Sequence, residues 1–310
     1  MNRLREIFQR INIESPIQFD YPLAPLTTFK VGGPAVVYAE PSNVLEMQLL
    51  LQTALSESIP YFVLGGGANI LVSDKGVPAL VISTARFDSV TKEEELLTFG
   101  TGMSMSRATE IAAEYGLGGL EFMYSMPGSV GGAIWMNARC YGGSLSDSLV
   151  SVDYFDEKGE AHTYFAQEHD FAYKRSPFQH RACVMIQAAF RLLPTDPHVL
   201  RSRMQEYYAD REAKGHFRAP SAGSVFKNNH DYGAPSGKLI DSLGLRGLRV
   251  GGAQISPEHA NIIINTGTAT ADDIRTLIES VRDTVHKRLG LELEREVLYV
   301  GDWNGRHEVV

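Results

Sequence analysis

The sequence predicts an α+β fold. The spacing of its apolar residues switches repeatedly between helical and strand periods, and the segments so marked mix helices with strands without a regular βαβ alternation. The chain has 310 residues, 44% of them apolar, enough to bury the cores of roughly two domains.

The N-terminal stretch MNRLREIFQRINIE alternates charged and apolar residues, which leaves no apolar run for a signal peptide. Residues 42–56 read as a helix, with Ser42 after Pro41 as its N-cap and an interior rich in Leu, Met and Gln. Strand-like runs follow at 61–64 (YFVL), 70–73 (ILVS) and 79–83 (ALVIS). Residues 105–115 read as a second helix, closed by Gly116 in the left-handed stop position. Strands dominate again at 151–156 and 183–192. Two prolines, Pro194 and Pro197, mark the best domain boundary. Beyond it come helices at 198–214, 235–243 and 270–289, the last capped by Thr270 with Asp272 and Asp273 in its first turn. The run REVLYV at 295–300 reads as a closing strand.

The formal net charge of −8 argues against a nucleic-acid partner, since gripping phosphate backbones needs a basic surplus. Cys140 and Cys183 could form one bridge at most, which suits a reducing compartment. No window approaches the ~18 apolar residues of a membrane span. A cytoplasmic protein is expected, with no membrane partner. The nine histidines show no metal-ligand spacing, so no metal is expected.

The 29 glycines cluster: Gly32-Gly33, then Gly65-Gly66-Gly67-Ala68-Asn69 directly after YFVL, then Pro127-Gly128-Ser129-Val130-Gly131-Gly132-Ala133. A glycine run after a strand lets backbone approach a ligand closely and offer N–H groups to an anion. Tight turns would use the same residues. The chain has neither G-x-x-x-x-G-K-[ST] nor a G-x-G-x-x-G joining strand to helix, so Walker and Rossmann sites are unsupported. G-x-S-x-G is also missing, which weakens a hydrolase reading.

Five segments in order carry a family resemblance: TTFKVGGPA at 27–35, VLGGGANILVSDKG at 63–76, GLGGLEFMYSMPGSVGGAIWMNA at 116–138, PSAGSVFKN at 220–228 and GGAQISPEHANIIIN at 251–265. Together with the closing REVLYVG they resemble the UDP-N-acetylenolpyruvoylglucosamine reductase family, from about Thr27 to Gly301. The resemblance implies a two-part FAD-binding domain of the vanillyl-alcohol-oxidase (PCMH) type at 27–193, with subdomains at 27–84 and 85–193. It implies an α+β substrate-binding domain at 194–310, whose final strand returns to the active site, and leaves 1–26 as an extension. The short link from Phe178 to Cys183 lacks a tyrosine-bearing insertion, as in the shorter, second-type branch. The implied reaction is NADPH-dependent reduction of UDP-N-acetylglucosamine enolpyruvate by a tightly but non-covalently bound FAD, for peptidoglycan precursor synthesis; a monomer is expected. The substrate-domain strings PSAGSVFKN and HANIIIN weigh against a different flavin oxidase on the same fold.

The resemblance also assigns residues. FAD would sit between the two glycine loops, touched by Gly65, Gly66, Gly67, Ala68, Asn69, Pro127, Gly128, Ser129, Gly132 and Ala133. Ala68 stands where the family has serine, and Arg139-Cys140 interrupts its asparagine-alanine-glycine run. Ser224 matches the proton donor and Glu296 the catalytic glutamate. Hydride addition to the enolpyruvyl group builds up negative charge beside a carboxylate, which requires cationic or hydrogen-bonding stabilisation and one positioned proton. The family's arginine column falls on Lys174, with Arg175 displaced by one. On the view that this segment is extended, the two side chains point to opposite faces, and Lys174 is favoured with Arg175 the alternative. Tyr173, Lys227, Asn228 and Asn261 are the expected substrate contacts.

Overall fold

The computed structural model describes residues 2–303 and 306–308. It is α+β, as expected, and its chain divides into two compact units that are interleaved along the sequence. One runs to Phe19 and includes Val37–Gly66 and Ala79–Ala209; the other takes Asp20–Val36, Gly67–Pro78 and the chain from Asp210 onward. The expected boundary at 193–197 lies inside the first unit. Leu193–Pro194 pairs there with Leu117–Gly118, and Pro197 opens the helix Pro197–Ala213, where a missing N–H and fixed φ suit the first turn. The first 26 residues are not a separate extension either: they contain the helix Asn2–Phe8 and the strand Ile17–Pro22.

In the first unit, five antiparallel strands stand side by side in the order Ala161–Phe165, Leu149–Phe155, Val184–Arg191, Leu96–Gly100 and Val90–Glu93. Leu97 and Phe99 face the core and pair across to Phe190 and Ala188, all at most 1% exposed. The edge strand Val90–Glu93 is exposed throughout, and its Lys92 and Glu93 discourage further pairing. Elsewhere in the unit Tyr61–Leu64 runs parallel to Val77–Ser83 in a register ending Leu64↔Ser83, so the glycine run begins where that ladder stops. The helix Val44–Ser56 is capped by Asn43 and not by Ser42, because Asn43 accepts the Glu46 N–H. Ser42 instead gives its N–H and hydroxyl to the Glu46 carboxylate at 2.8 and 3.1 Å.

In the second unit, Ser221–Ser224, Ile262–Asn265, Ala253–Ile255 and Arg249–Val250 form an antiparallel sheet in that order. The helix Ala271–Leu289 packs on it. Ile274, Leu277, Ile278, Val281 and Val285 are buried at helical spacing, each contributing roughly 1.5–3 kcal/mol. Thr270 and Asp273 form a capping box and Gly290 closes the helix at φ +68°. Asp74 adds a cap from far away in sequence, accepting from Ala271 N and Asp272 N at 2.9 and 3.0 Å. Ile70–Val72 runs parallel to the strand Leu298–Trp303. Among the described residues no helix is long and apolar enough to cross a membrane.

Candidate active site

The first unit brings its two glycine segments into contact. Ser129 caps the short helix Val130–Trp135 by accepting from Gly132 N, and the same hydroxyl accepts from Gly66 N at 3.2 Å. A Cβ at Gly66 would lie 2.6 Å from Gly128 Cα, and one at Gly65 would lie 2.6 Å from Ser129 Oγ. Only bare backbone lets these strands of chain approach so closely. Gly132 is different: it is exposed, and a Cβ there would meet only Ser129 Oγ, at 3.5 Å. Ala133 turns inward, its methyl in the hydrophobic core and its N–H on Ser129 O, so it supports the helix and offers no side chain or donor to a ligand.

The second unit takes up the loop from Gly67, whose φ of +60° and position against the Leu26 carbonyl exclude a side chain. Ala68 O lies 3.4 Å from the Thr28 hydroxyl. Asn69, read as a cofactor contact, gives a side-chain N–H to Glu296 O at 3.1 Å while its own carbonyl accepts from Leu298 N. Glu296 is therefore held at the entrance to its strand, and it is buried, at 8% exposure. Beside it, Arg295 lies 3.4 Å over the Tyr299 ring.

Ser224 ends its strand on a bulge. Ser221 faces Ile264 and Ser224 faces Ile262, so the Ser224 side carries one extra residue, and Gly223 absorbs it at φ +71°. Such a bulge re-aims the side chain that follows it. The Ser224 hydroxyl is half-buried and makes no hydrogen bond among the described residues. The segment after it is knitted to the Glu296 segment: Glu296 N donates to Val225 O at 2.7 Å and Lys227 N to Glu294 O at 2.9 Å. Lys227 Nζ is ion-paired with Glu294 at 2.7 Å. Asn228 Oδ1 accepts from Ser236 N at 3.0 Å, at the start of helix Ser236–Ser242. Asn261 is 4% exposed, and its amide bonds both backbone groups of Phe226. It holds the Ser224 segment from behind. Its own N–H donates to His259 Nδ1 at 3.2 Å. Burial lowers the His259 pKa, a backbone hydrogen bond opposes this, and Arg246 and Lys214 lower it further, a balance that favours the neutral ring that can accept this bond.

Lys174 does not sit in an extended segment. Ala172 and Arg175 exchange both backbone hydrogen bonds, at 3.2 and 3.0 Å, so Tyr173 and Lys174 are the corners of a tight turn. Lys174 is left-handed at φ +56°. Opposite-face reasoning therefore does not apply here; instead Tyr173 and Lys174 are half-buried and Arg175 is exposed. Nothing in the string Tyr-Lys-Arg-Ser announces this, because left-handed turns usually advertise themselves with Gly or Asn.

The chain resembles known proteins along nearly its whole length. The profile of the UDP-N-acetylenolpyruvoylglucosamine reductase C-terminal domain matches residues 215–300, and that of an FAD binding domain matches residues 35–164. UDP-N-acetylenolpyruvoylglucosamine reductase of Treponema denticola is 40% identical, with 98% of this chain and 100% of the relative covered. The Bradyrhizobium enzyme is 42% identical over 90% of each chain. The crystal structure of the reductase from Thermus caldophilus superposes with a TM-score of 0.77 at 34% identity, covering 93% of this chain and 99% of that one. The chain belongs to the UDP-N-acetylenolpyruvoylglucosamine reductase family.

Membership makes the protein an FAD-containing oxidoreductase, and the residues present fit that cofactor. Ser125 lies just before the Pro127–Ala133 loop at φ +59°, and its buried hydroxyl has no partner among the described residues. Such an orphaned donor is a group that an acceptor on a bound cofactor would satisfy, and the exposed backbone at Gly132 leaves room for a close approach. Nothing in the sequence around Ser125 distinguishes this serine from its neighbours. Two other groups lie outside this chemistry. Asp156, Glu160 and His162 cluster on the surface, but Asp156 accepts Lys158 N, Glu160 N and His162 Nε2, which closes a hairpin. Cys140 and Cys183 are not joined in a disulfide.

Proposed function

We propose that this protein reduces UDP-N-acetylglucosamine enolpyruvate to UDP-N-acetylmuramate with NADPH as the electron source, as a cytoplasmic monomer of peptidoglycan precursor synthesis. FAD held at segments 65–67 and 127–132 would supply the redox chemistry between nicotinamide and alkene. The chain's own residues do the rest. Ser224 gives its hydroxyl proton to the carbon left electron-rich by hydride addition. Glu296 orients the substrate carboxylate side of that centre, and Lys174, in preference to Arg175, supplies positive charge to the developing enolate. Support for Lys174 is its half-buried position against the exposed Arg175. Lysine gives a point charge and no bidentate fork, so the position is a departure in geometry but not in sign.

The observation that carries the reading is Ser224: a hydroxyl without internal bonds among the described residues, re-aimed by a glycine bulge and braced through Asn261, on a segment bonded to that of Glu296. Anaerobic stopped-flow absorbance tests it. NADPH should bleach the flavin, and the enolpyruvyl UDP-sugar should restore the colour rapidly. Bleaching without recovery would remove the substrate assignment while leaving the flavoprotein, and bleaching by NADH as fast as by NADPH would remove the preference for NADPH.

A further inference from the structure

We infer that Gln179 is a positioning residue for this reaction, holding the strained backbone of Lys174 so that its ammonium is presented in one place. The inference rests on the reductase reading above. Gln179 lies in the short helical turn Pro177–His180, and its Nε2 donates to two carbonyls, Lys174 O at 3.0 Å and Trp135 O at 2.9 Å. Trp135 is the last residue of the helix that Ser129 caps. One amide thus ties the peptide of Lys174 to the far end of the helix that begins at the glycine contact.

The rest of the turn is held to match. Ser176 Oγ donates to the same Trp135 carbonyl at 2.8 Å, and Asn137 Nδ2 donates to Ala172 O at 3.0 Å. Asn137 is itself fixed, since its Oδ1 accepts from Ser144 Oγ and Ser146 N. A non-glycine residue in the left-handed region persists only where its surroundings over-determine it, and Gln179 is the one of these three side chains that bonds Lys174 directly. Asn137 and Ser176 hold the flanks. Without the Gln179 donors, Lys174 is free to relax toward an ordinary φ, which would swing a long flexible side chain away from its working position.

The test compares the two half-reactions by stopped flow in Gln179→Glu, which keeps the side chain's shape and removes both donors, alone and combined with Lys174→Met. The expected result is a re-oxidation by the enolpyruvyl UDP-sugar that is ~10- to 100-fold slower, with bleaching by NADPH and flavin content unchanged, and less than about twofold further loss when Lys174 is already Met. Unchanged re-oxidation in Gln179→Glu overturns the inference. So does an equal loss in the presence and absence of Lys174, or bleaching that falls in step, either of which marks Gln179 as merely structural. If Lys174→Met alone re-oxidises at the wild-type rate, the role given to Lys174 fails, and if wild-type enzyme is not re-oxidised by this sugar, the reductase reading fails; both are read separately from Gln179. Should Gln179→Glu not fold, Gln179→Asn, which keeps the donors but shortens their reach, is judged by the same criteria.

Discussion

Asn261 pairs with Phe226 as a strand partner would: its Oδ1 accepts from Phe226 N at 3.0 Å and its Nδ2 donates to Phe226 O at 2.8 Å. Its own carbonyl accepts from Val225 N at 2.8 Å. Three bonds from one residue therefore fix the two positions after Ser224. Removing the side chain strands a buried N–H and C=O in a region with little access to water. Asn261→Ala should lower stability by about 2–4 kcal/mol, as two buried backbone groups lose partners, and should slow re-oxidation of the flavin by substrate. Urea unfolding and single-turnover absorbance check the two effects.

Ser224 itself should behave in the opposite way. Its hydroxyl makes no internal bond among the described residues, so Ser224→Ala should leave the unfolding midpoint almost unmoved. Loss of a positioned proton donor should slow re-oxidation by ~10²–10⁴-fold without slowing bleaching by the nicotinamide. A midpoint that falls by several degrees in thermal melts would mean that the serine is holding structure.

Gly132 separates folding from cofactor binding. It is helical, and a Cβ would be in ordinary contact with Ser129 Oγ alone, so Gly132→Ala should stabilise the flavin-free protein by up to about 1 kcal/mol. If FAD lies over this bare backbone, the same methyl obstructs it. Apo-protein melts should rise while flavin occupancy after purification falls.

Glu46 sets part of the acid limit of stability. Burial pushes its carboxyl up, but the hydroxyl of Ser15, the N–H groups of Ser42 and Ser15 and the hydroxyl of Ser42 outweigh this and bring it down to about 2, from 4.5. A carboxylate whose pKa is lower folded than unfolded binds fewer protons in the native state, so its contribution is complete above pH 4.5 and is lost as pH falls toward 2. Glu46→Gln removes that slope and leaves donors facing an amide N–H₂, at a cost of about 1–3 kcal/mol near neutrality. Denaturant midpoints measured across the acid range should converge for the two proteins as pH falls.

Much of the local structure was legible. The helix Ala271–Leu289 carries its own start and stop in Thr270, Asp273 and Gly290, and the glycine runs marked where backbone must approach backbone. What could not be read is what depends on residues far apart in sequence or on unusual φ. Asn43 takes the cap from Ser42 because Ser42 is engaged with Glu46. The Tyr173–Lys174 turn is a tertiary product, held by Gln179 and Asn137 from outside the motif. Asn261 matched a string expected to face substrate, and only the fold shows its amide bonded to Phe226. The interleaved units escaped detection for the same reason, since Pro194 and Pro197 look like a linker to any local criterion.

The pairing of Ile70–Val72 with Leu298–Val300 also bears on how the protein is made. The Asn69 bond beside it spans 227 positions, so a ribosome must continue through Leu298 before both contacts can form. Throughout that interval the nascent protein displays an apolar strand with an unmet edge, at a synthesis rate of roughly 5–20 residues per second. Contacts of such separation also slow folding after release. The strand Leu298–Trp303 thus acts as a closing clasp, and ribosome-bound chains that stop short of Leu298 should depend on chaperones to keep that edge covered.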